Sequence, residues 1–342
     1  MTTRGTAEVT GWRSWSTRLW NGYIVVVLVA LAVAFTLSAP GKFATEYNIS
    51  ILLIDAAILL PVALGQTFVI ITAGIDLSVG SVLVFASIAS AEVMLALSGA
   101  PGTTYGTTDA GWGIIAVGVV VAIAAGALWG MLNGVLVAVA RIPALIVTLG
   151  TLGMALGLAQ IVTDGQDVRA VPQLLVDTVG QGNVLGVPVL VVIAIVVTVL
   201  CAVLLHLTRF GVWTHAVGSN AEAARRAGVP VRSQLILVYT LQGALAGLAG
   251  IMAIAQYSTT TIGGHSSDNL AAISAVVLGG TSLFGGIGTI LGTVVGVFIP
   301  IVLLNGFVIV GIPPFWQTFA IGAVLIVAVF VDQLKRSVRE GA

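Results

Sequence analysis

The chain has 342 residues, 58% of them hydrophobic and only 8% charged, with 13 Lys and Arg balanced by 13 Asp and Glu. A soluble domain carries about a quarter charged residues. The composition therefore excludes a soluble globular fold and points to an all-α polytopic membrane protein, and a formal charge of zero gives no reason for a nucleic-acid partner. The single Cys201 excludes an internal disulfide and a cysteine metal site.

Apolar windows of the length a bilayer requires, about 20 residues, recur about ten times. Residues 1–20 precede them as an N-terminal segment. Its GWRSWSTRLW places Trp12, Trp15 and Leu19 on one helical face with Arg13 elsewhere. That pattern fits a helix lying in the membrane interface or a loose tail with interfacial tryptophans. The first span, 21–39, is too long for a signal-peptide core, and Pro40 spoils Ser38-Ala39 as a cleavage site, so it is expected to be retained. Further spans are expected at 50–72, 78–98, 114–139, 142–162, 186–208, 234–256, 270–283, 288–310 and 315–331, within a single domain over 21–332. The 270–283 window is short for a crossing. Residues 333–342 read as a tail.

With the N-terminus inside, the inner segments hold Arg4, Arg13, Arg18, Arg141, Arg209, Arg225, Arg226, Arg232, Lys335, Arg336 and Arg339, and the outer ones only Lys42 and Arg169. This positive-inside bias places both termini in the cytoplasm. The longest outer segment is 163–186, with Asp164, Asp167, Arg169 and Asp177. Polar residues within spans are few. Asp55 and Glu92 lie toward outer ends, while Gln66, Asn133, Gln160, Gln242, Gln256 and Asn305 are neutral. Each can line a polar pathway or make a hydrogen bond between helices.

HAVGSNAEAARRAGVPV (215–231) interrupts the apolar runs on the inner side. Ser219 and Glu222 fit a capping box, Gly228 fits a left-handed helix end, and Pro230 follows. Glu222 and Arg226 stand in the favourable i,i+4 order. The spacing predicts a short helix over 219–228. Two glycine stretches, Gly74–Gly80 and Gly280–Gly286, share G-x-x-L-x-x-G at expected inner boundaries and hint at an internal repeat. Asp76 or Ser78 can cap the following helix, or Asp76 can contact substrate.

Nothing in the chain supplies energy or chemistry. It has two lysines and no phosphate-binding loop, no zinc-protease motif and no nucleophile elbow, and His206, His215 and His265 are scattered. No cofactor is implied. Uphill transport would need nucleotide hydrolysis in another chain, or an ion. A secondary transporter or channel remains the alternative class, but coupling to an ion calls for ionisable groups at mid-membrane, and the span centres nearly lack them.

LGQTFVIITAGIDLSVGSVL (64–83) resembles the signature of the ribose-type sugar permeases of bacterial ABC importers. The resemblance continues through RIPALIVTLGTL (141–152), GQGNVLGVPV (180–189), AVGSNAEAARRAGVPV (216–231) and AAISAVVLGGTSLFGGIGTILGTVVG (271–296). It implies a multi-pass permease of the bacterial cytoplasmic membrane that works with a second permease subunit, a cytoplasmic ABC ATPase and an extracytoplasmic solute-binding protein. Ser219, Asn220, Glu222, Ala224, Arg225, Arg226 and Gly228 would form the helix that docks on the ATPase; otherwise the segment is a capped linker. Gly74, Asp76, Ser78, Gly80, Gly279, Gly280, Gly285 and Gly286 carry the family signature. Asp55, Gln66, Asn133, Gln160, Gln256 and Asn305 are pathway candidates. Asp164, Asp167, Arg169 and Asp177 are candidates for docking the binding protein. The resemblance leans toward a monosaccharide, with nucleosides or amino acids as alternatives, and implies no strong sugar site in this chain.

Overall fold

The computed structural model describes residues 24–99, 106–265 and 267–340. The expected interfacial segment with Trp12, Trp15 and Leu19 lies outside them. The helices in chain order are α1 (Ile24–Ser38), α2 (Glu46–Ile71), α3 (Val79–Leu97), α4 (Trp112–Ala138), α5 (Ala144–Val162), the single turn α6 (Gln173–Leu175), α7 (Val189–Leu207), α8 (Arg209–Ser219), α9 (Ala221–Arg226), α10 (Val231–Tyr257), α11 (Asp268–Leu278), α12 (Ile290–Val310) and α13 (Pro314–Glu340). Seven of them, α2, α3, α4, α5, α7, α10 and α12, are long and apolar enough to cross a bilayer, so this is a multi-pass membrane protein. Helices suit that solvent because each satisfies its own backbone hydrogen bonds. α1, α11 and the Phe315–Val327 part of α13 are shorter apolar helices, and they fall on the other three windows.

Among the described residues strand is confined to four two-residue pieces. β1 (Thr107–Thr108) pairs parallel with β2 (Val171–Pro172), and β3 (Asn183–Val184) pairs antiparallel with β4 (Val187–Pro188). The β3–β4 turn puts Leu185 and Gly186 at positive φ and leaves Leu185 fully exposed.

α2 is the central post. From Ala56 to Ile71 it is buried on every side. α10 packs on it and, more extensively, on α4. That last contact rests on glycines. Gly126 and Gly130 of α4 face Gly243 and the Tyr239 carbonyl of α10, so closely that a side chain on either would collide with backbone. Small residues at four-residue spacing let membrane helices approach in this way. α4, α5 and α7 turn Val, Leu and Ile outward, as suits a lipid-facing surface.

α11 explains the short window. After α10 the chain folds back into the bundle. The His265 carbonyl sits over Gly80, where an added Cβ would lie 2.5 Å away, and the Asn269 amide donates to Leu77 O at 3.1 Å. α11 therefore begins beside the start of α3. At 1.5 Å per residue its length is about 16 Å, roughly half of a ~30 Å hydrocarbon core.

The repeat hint is corrected in register. α2 ends with Ala73 left-handed (φ 60), Ala73 N donating to Ile70 O at 2.9 Å and Gly74 N to Val69 O at 3.0 Å. α11 ends with Gly280 left-handed (φ 88), Gly280 N donating to Val277 O at 2.9 Å and Thr281 N to Val276 O at 3.2 Å. Both are the same two-bond helix stop. The equivalent positions are Ala73 and Gly280, one residue away from the match in spelling.

Candidate functional site

Three features form one connected system: the loop between α2 and α3, the α8–α9 pair, and a polar cavity.

The loop (72–78) leaves Ala73 exposed and turns its polar residues inward. Asp76 is 2% exposed and Ser78 and Asn133 are fully buried. Asp76 Oδ1 accepts from Ser78 N at 2.8 Å and from Ser78 Oγ at 2.6 Å. The Asn133 amide of α4 then donates to Ser78 Oγ at 2.9 Å. Asp76 thus satisfies the backbone N–H of Ser78 where α3 begins, and Ser78 itself makes no side-chain cap bond. Thr148 of α5 donates to Ile75 O at 3.2 Å. Gly74 does not have positive φ. It is needed because the Tyr239 hydroxyl lies 2.5 Å from where its Cβ would stand.

The α8–α9 pair corrects the capping box. Ser219 ends α8, and its hydroxyl donates back to His215 O at 2.9 Å. The cap of α9 is Asn220, whose side chain accepts from Ala223 N at 2.9 Å. Glu222 does not reach back to a cap. It pairs with Arg225 and, at 3.2 Å, with Arg226. With α8 occupying the residues up to Ser219, α9 keeps only six residues. Its end is as expected: Gly228 is left-handed (φ 86), Gly228 N donates to Arg225 O and Val229 N to Ala224 O, each at 3.0 Å. Ala224 is buried in this chain, whereas Ala221, Ala223, Arg225, Arg226 and Ala227 are exposed.

α8 is tied into the bundle. The Gln234 amide of α10 donates to Thr214 Oγ1 at 2.9 Å and to Phe210 O at 3.0 Å. Gly218 is seated on the end of α2. A Cβ there would overlap Ile71 O and lie 2.7 Å from Gly286 N. Gly286 N in turn donates to Ile71 O at 2.8 Å. Gly285 (φ 85) packs against Ala73 and the Gly218 carbonyl. Three segments therefore meet through backbone at Ile71, and Gly285, Gly286 and Gly218 leave room for it. Gly279 serves a different contact, lying 2.5 Å, by its would-be Cβ, from Gly292 O of α12.

The cavity, about 300 Å³, opens between α2, the end of α10, the start of α11 and α12. Its polar wall includes Asp55, Tyr257, Thr261, His265, Asp268 and Asn305, and its apolar wall includes Ile58, Leu59 and Ile301. Asp55 and the Tyr257 hydroxyl stand beside each other in the cavity. His265 Nδ1 lies 2.7 Å from Asp268 Oδ2. Asn305 and Asn48 exchange amide hydrogen bonds of 2.9 and 3.0 Å.

The pathway candidates separate accordingly. Asp55 and Asn305 come together in the cavity. Gln66 instead accepts from Gln242 at 3.3 Å, joining α2 to α10. Asn133 holds the loop, Gln160 is exposed, and Gln256 is half-buried outside the cavity lining. Sequence reasoning missed Tyr257 and Asp268 and assigned His265 no role. The one signal for His265 and Asp268 was the polar H-S-S-D at 265–268 between apolar runs, and Tyr257 lies outside it.

In the 163–186 segment, Asp164, Arg169 and Asp177 are exposed. Asp177 accepts from Gln173 at 2.5 Å. Asp167 is half-buried and accepts from Ile262 N at 2.8 Å, so its carboxylate is engaged within the chain. Thr260 N donates to Val168 O at 2.9 Å and Val168 N to Thr260 Oγ1 at 2.8 Å. These bonds fasten the segment to the turn that borders the cavity.

The family described as branched-chain amino acid transport system, permease component, matches residues 48–329. The ribose import permease protein of Escherichia coli is 35% identical over 97% of this chain and all of its own length. The fructose import permease protein of Rhizobium meliloti is 34% identical over 92% of this chain and 85% of its own. The L-arabinose ABC transporter permease protein of Azospirillum brasilense is 34% identical over 92% of this chain and 88% of its own. No solved structure matches this chain.

Proposed function

This chain belongs to the branched-chain amino acid transport system permease component family, and from that premise we propose that it is the membrane subunit of an ATP-driven ABC importer for a monosaccharide. Relatives named for the import of ribose, fructose and L-arabinose support the substrate class. The observation that carries the mechanism is the Gly218 seat. A push on α8–α9 reaches Ile71 and the Gly285–Gly286 turn through backbone contacts, without a flexible side chain between.

In this reading a cytoplasmic ATPase grips the exposed face of α9, with Ala221 and Ala223 entering its groove and Arg225 and Arg226 meeting its carboxylates. Ala224 supports α9 from within. The subunit has no catalytic site of its own, and hydrolysis takes place in the partner. A second permease subunit completes the path. The extracytoplasmic binding protein docks at the opposite end, on Asp164, Arg169, Asp177 and the exposed Leu185. Both termini are cytoplasmic, in the bacterial cytoplasmic membrane. The chain crosses about ten times, the segment that follows α10 completing one crossing together with α11.

The test is uptake by proteoliposomes that hold this chain with its ATPase and binding protein. Radiolabelled ribose, fructose and arabinose should enter only with internal ATP and external binding protein. Uptake that needs neither and follows a sodium or proton gradient would overturn the reading. Uptake of leucine or a nucleoside, but of no sugar, would favour the alternative substrates.

A further inference from the structure

Resting on that reading, we propose that the cavity between α2, α10, α11 and α12 is a binding site for a single neutral polyhydroxylated ring, the place where the permease itself first holds its substrate. At about 300 Å³ the cavity has room for one small molecule, and its size is at the lower end of the ~300–1,000 Å³ typical of ligand sites. Its composition selects the class of ligand. Asp55, Asp268 and Asn305 offer acceptors for several hydroxyl groups, and the Asn305 amide also donates. Hydrogen bonds onto an ionised carboxylate are the stronger kind. Tyr257, Ile58, Leu59 and Ile301 supply apolar surface for the C–H faces of a sugar.

The same lining disfavours other solutes. Among the described residues it contains two carboxylates and no Lys or Arg, so the carboxylate of an amino acid would find repulsion there and no permanent cation. A nucleoside base would need flanking rings, but Tyr257 and His265 contact each other, with ring centroids 6.5 Å apart and planes tilted by 49°, and leave no parallel gap for a base between them.

The polar groups are already oriented. Asp268 is held by His265 and Asn305 by Asn48, and Asp55 has the Tyr257 hydroxyl beside it. Each keeps acceptor capacity beyond that one neighbour. The site is also joined to both working ends of the protein. Thr261 and His265 in its wall belong to the turn fastened to the 163–172 segment through Asp167 and Val168. On the other side the His265 carbonyl rests on Gly80, at the start of α3. Docking outside and motion of the α2–α3 loop inside can therefore each reshape it.

The experiment uses the full-length chain in membrane vesicles. Cys201 is replaced by Ala and a cysteine is placed in the cavity wall, Thr261→Cys. Its reaction with a small hydrophilic thiol reagent is followed with ribose, fructose, arabinose, leucine or adenosine added, and in sodium against choline buffer. At least one sugar should slow labelling about tenfold or more, and leucine, adenosine and sodium should not. Asp55→Asn and Asp268→Asn should each remove the protection and raise KM for ATP-driven uptake about tenfold, the effect of a lost charge-assisted hydrogen bond, with kcat nearly kept. An unreactive cysteine, protection by sodium or leucine alone, or unchanged KM in both variants overturns the site. If no sugar protects while uptake still needs ATP and the binding protein, the site fails and the importer reading stands. Protection without ATP-dependent uptake leaves the site and overturns the importer.

Discussion

The end of α2 at Ile71 meets Gly218 and Gly286 through backbone atoms, whereas the start of α3 at Gly80 meets the carbonyl of His265, whose ring holds Asp268 in a polar cavity. One end is a mechanical joint, where a glycine is required because a carbonyl oxygen occupies the place of its side chain. The other is chemical, where carboxylates, an amide and a phenol set what can bind. A joint made of backbone transmits displacement and is indifferent to the cargo. A wall of side chains can change with the cargo while the joint stays the same. Relatives that differ in sugar are therefore expected to share the first end more closely than the second.

The largest effect should come from breaking the joint. Gly218→Val places atoms where Ile71 O and Gly286 N already stand, and overpacking of this kind costs about 1–3 kcal/mol. ATP-driven uptake should fall about a hundredfold, the ~2.8 kcal/mol equivalent of two decades, while sugar still protects a cysteine at 261. Loss of both would mean that the two ends are not separable. Gly80→Ala tests the other end: its Cβ would stand 2.5 Å from the His265 carbonyl. A displaced His265 should raise KM about tenfold, or about 1.4 kcal/mol, with uptake at saturating sugar kept. An unchanged KM would detach the loop from the cavity.

Smaller effects are expected on α9. Asn220→Ala should weaken this short helix by about 1 kcal/mol, read as faster amide exchange at Ala223. Ser219→Ala should not reproduce that, because Ser219 bonds to His215 O rather than to α9. Glu222→Gln should be nearly silent in thermal unfolding, below about 1 kcal/mol, since its pairs with Arg225 and Arg226 are exposed. A large loss of uptake in that variant, with unchanged unfolding, would place the pair in contact with the ATPase.

How far these residues could be read in the chain varies with the kind of contact they make. Gly228 was legible because a left-handed stop is local and Pro230 follows it. Ser219 was misread for a related reason. S-x-x-E describes a cap only when a helix starts there, and here α8 continues through Ser219 and leaves the cap to Asn220. Asp55 and Asn305 stood out as polar residues in apolar spans, and they do share the cavity. Gln66 stood out equally and makes an interhelical hydrogen bond with Gln242.

The sequence by itself determined the membrane class, the positions of the long apolar helices and the position of the polar α8–α9 break, because burial in lipid is decided by each segment's own composition. Only the tertiary structure decided that α11 begins deep against Gly80, that Asp167 bonds Ile262, that Gly218 seats on Ile71, and that Asp55 faces Tyr257, His265 and Asp268. Those facts are contacts between segments far apart in the chain, and they depend on how closely packed backbones approach, which no local pattern of residues specifies.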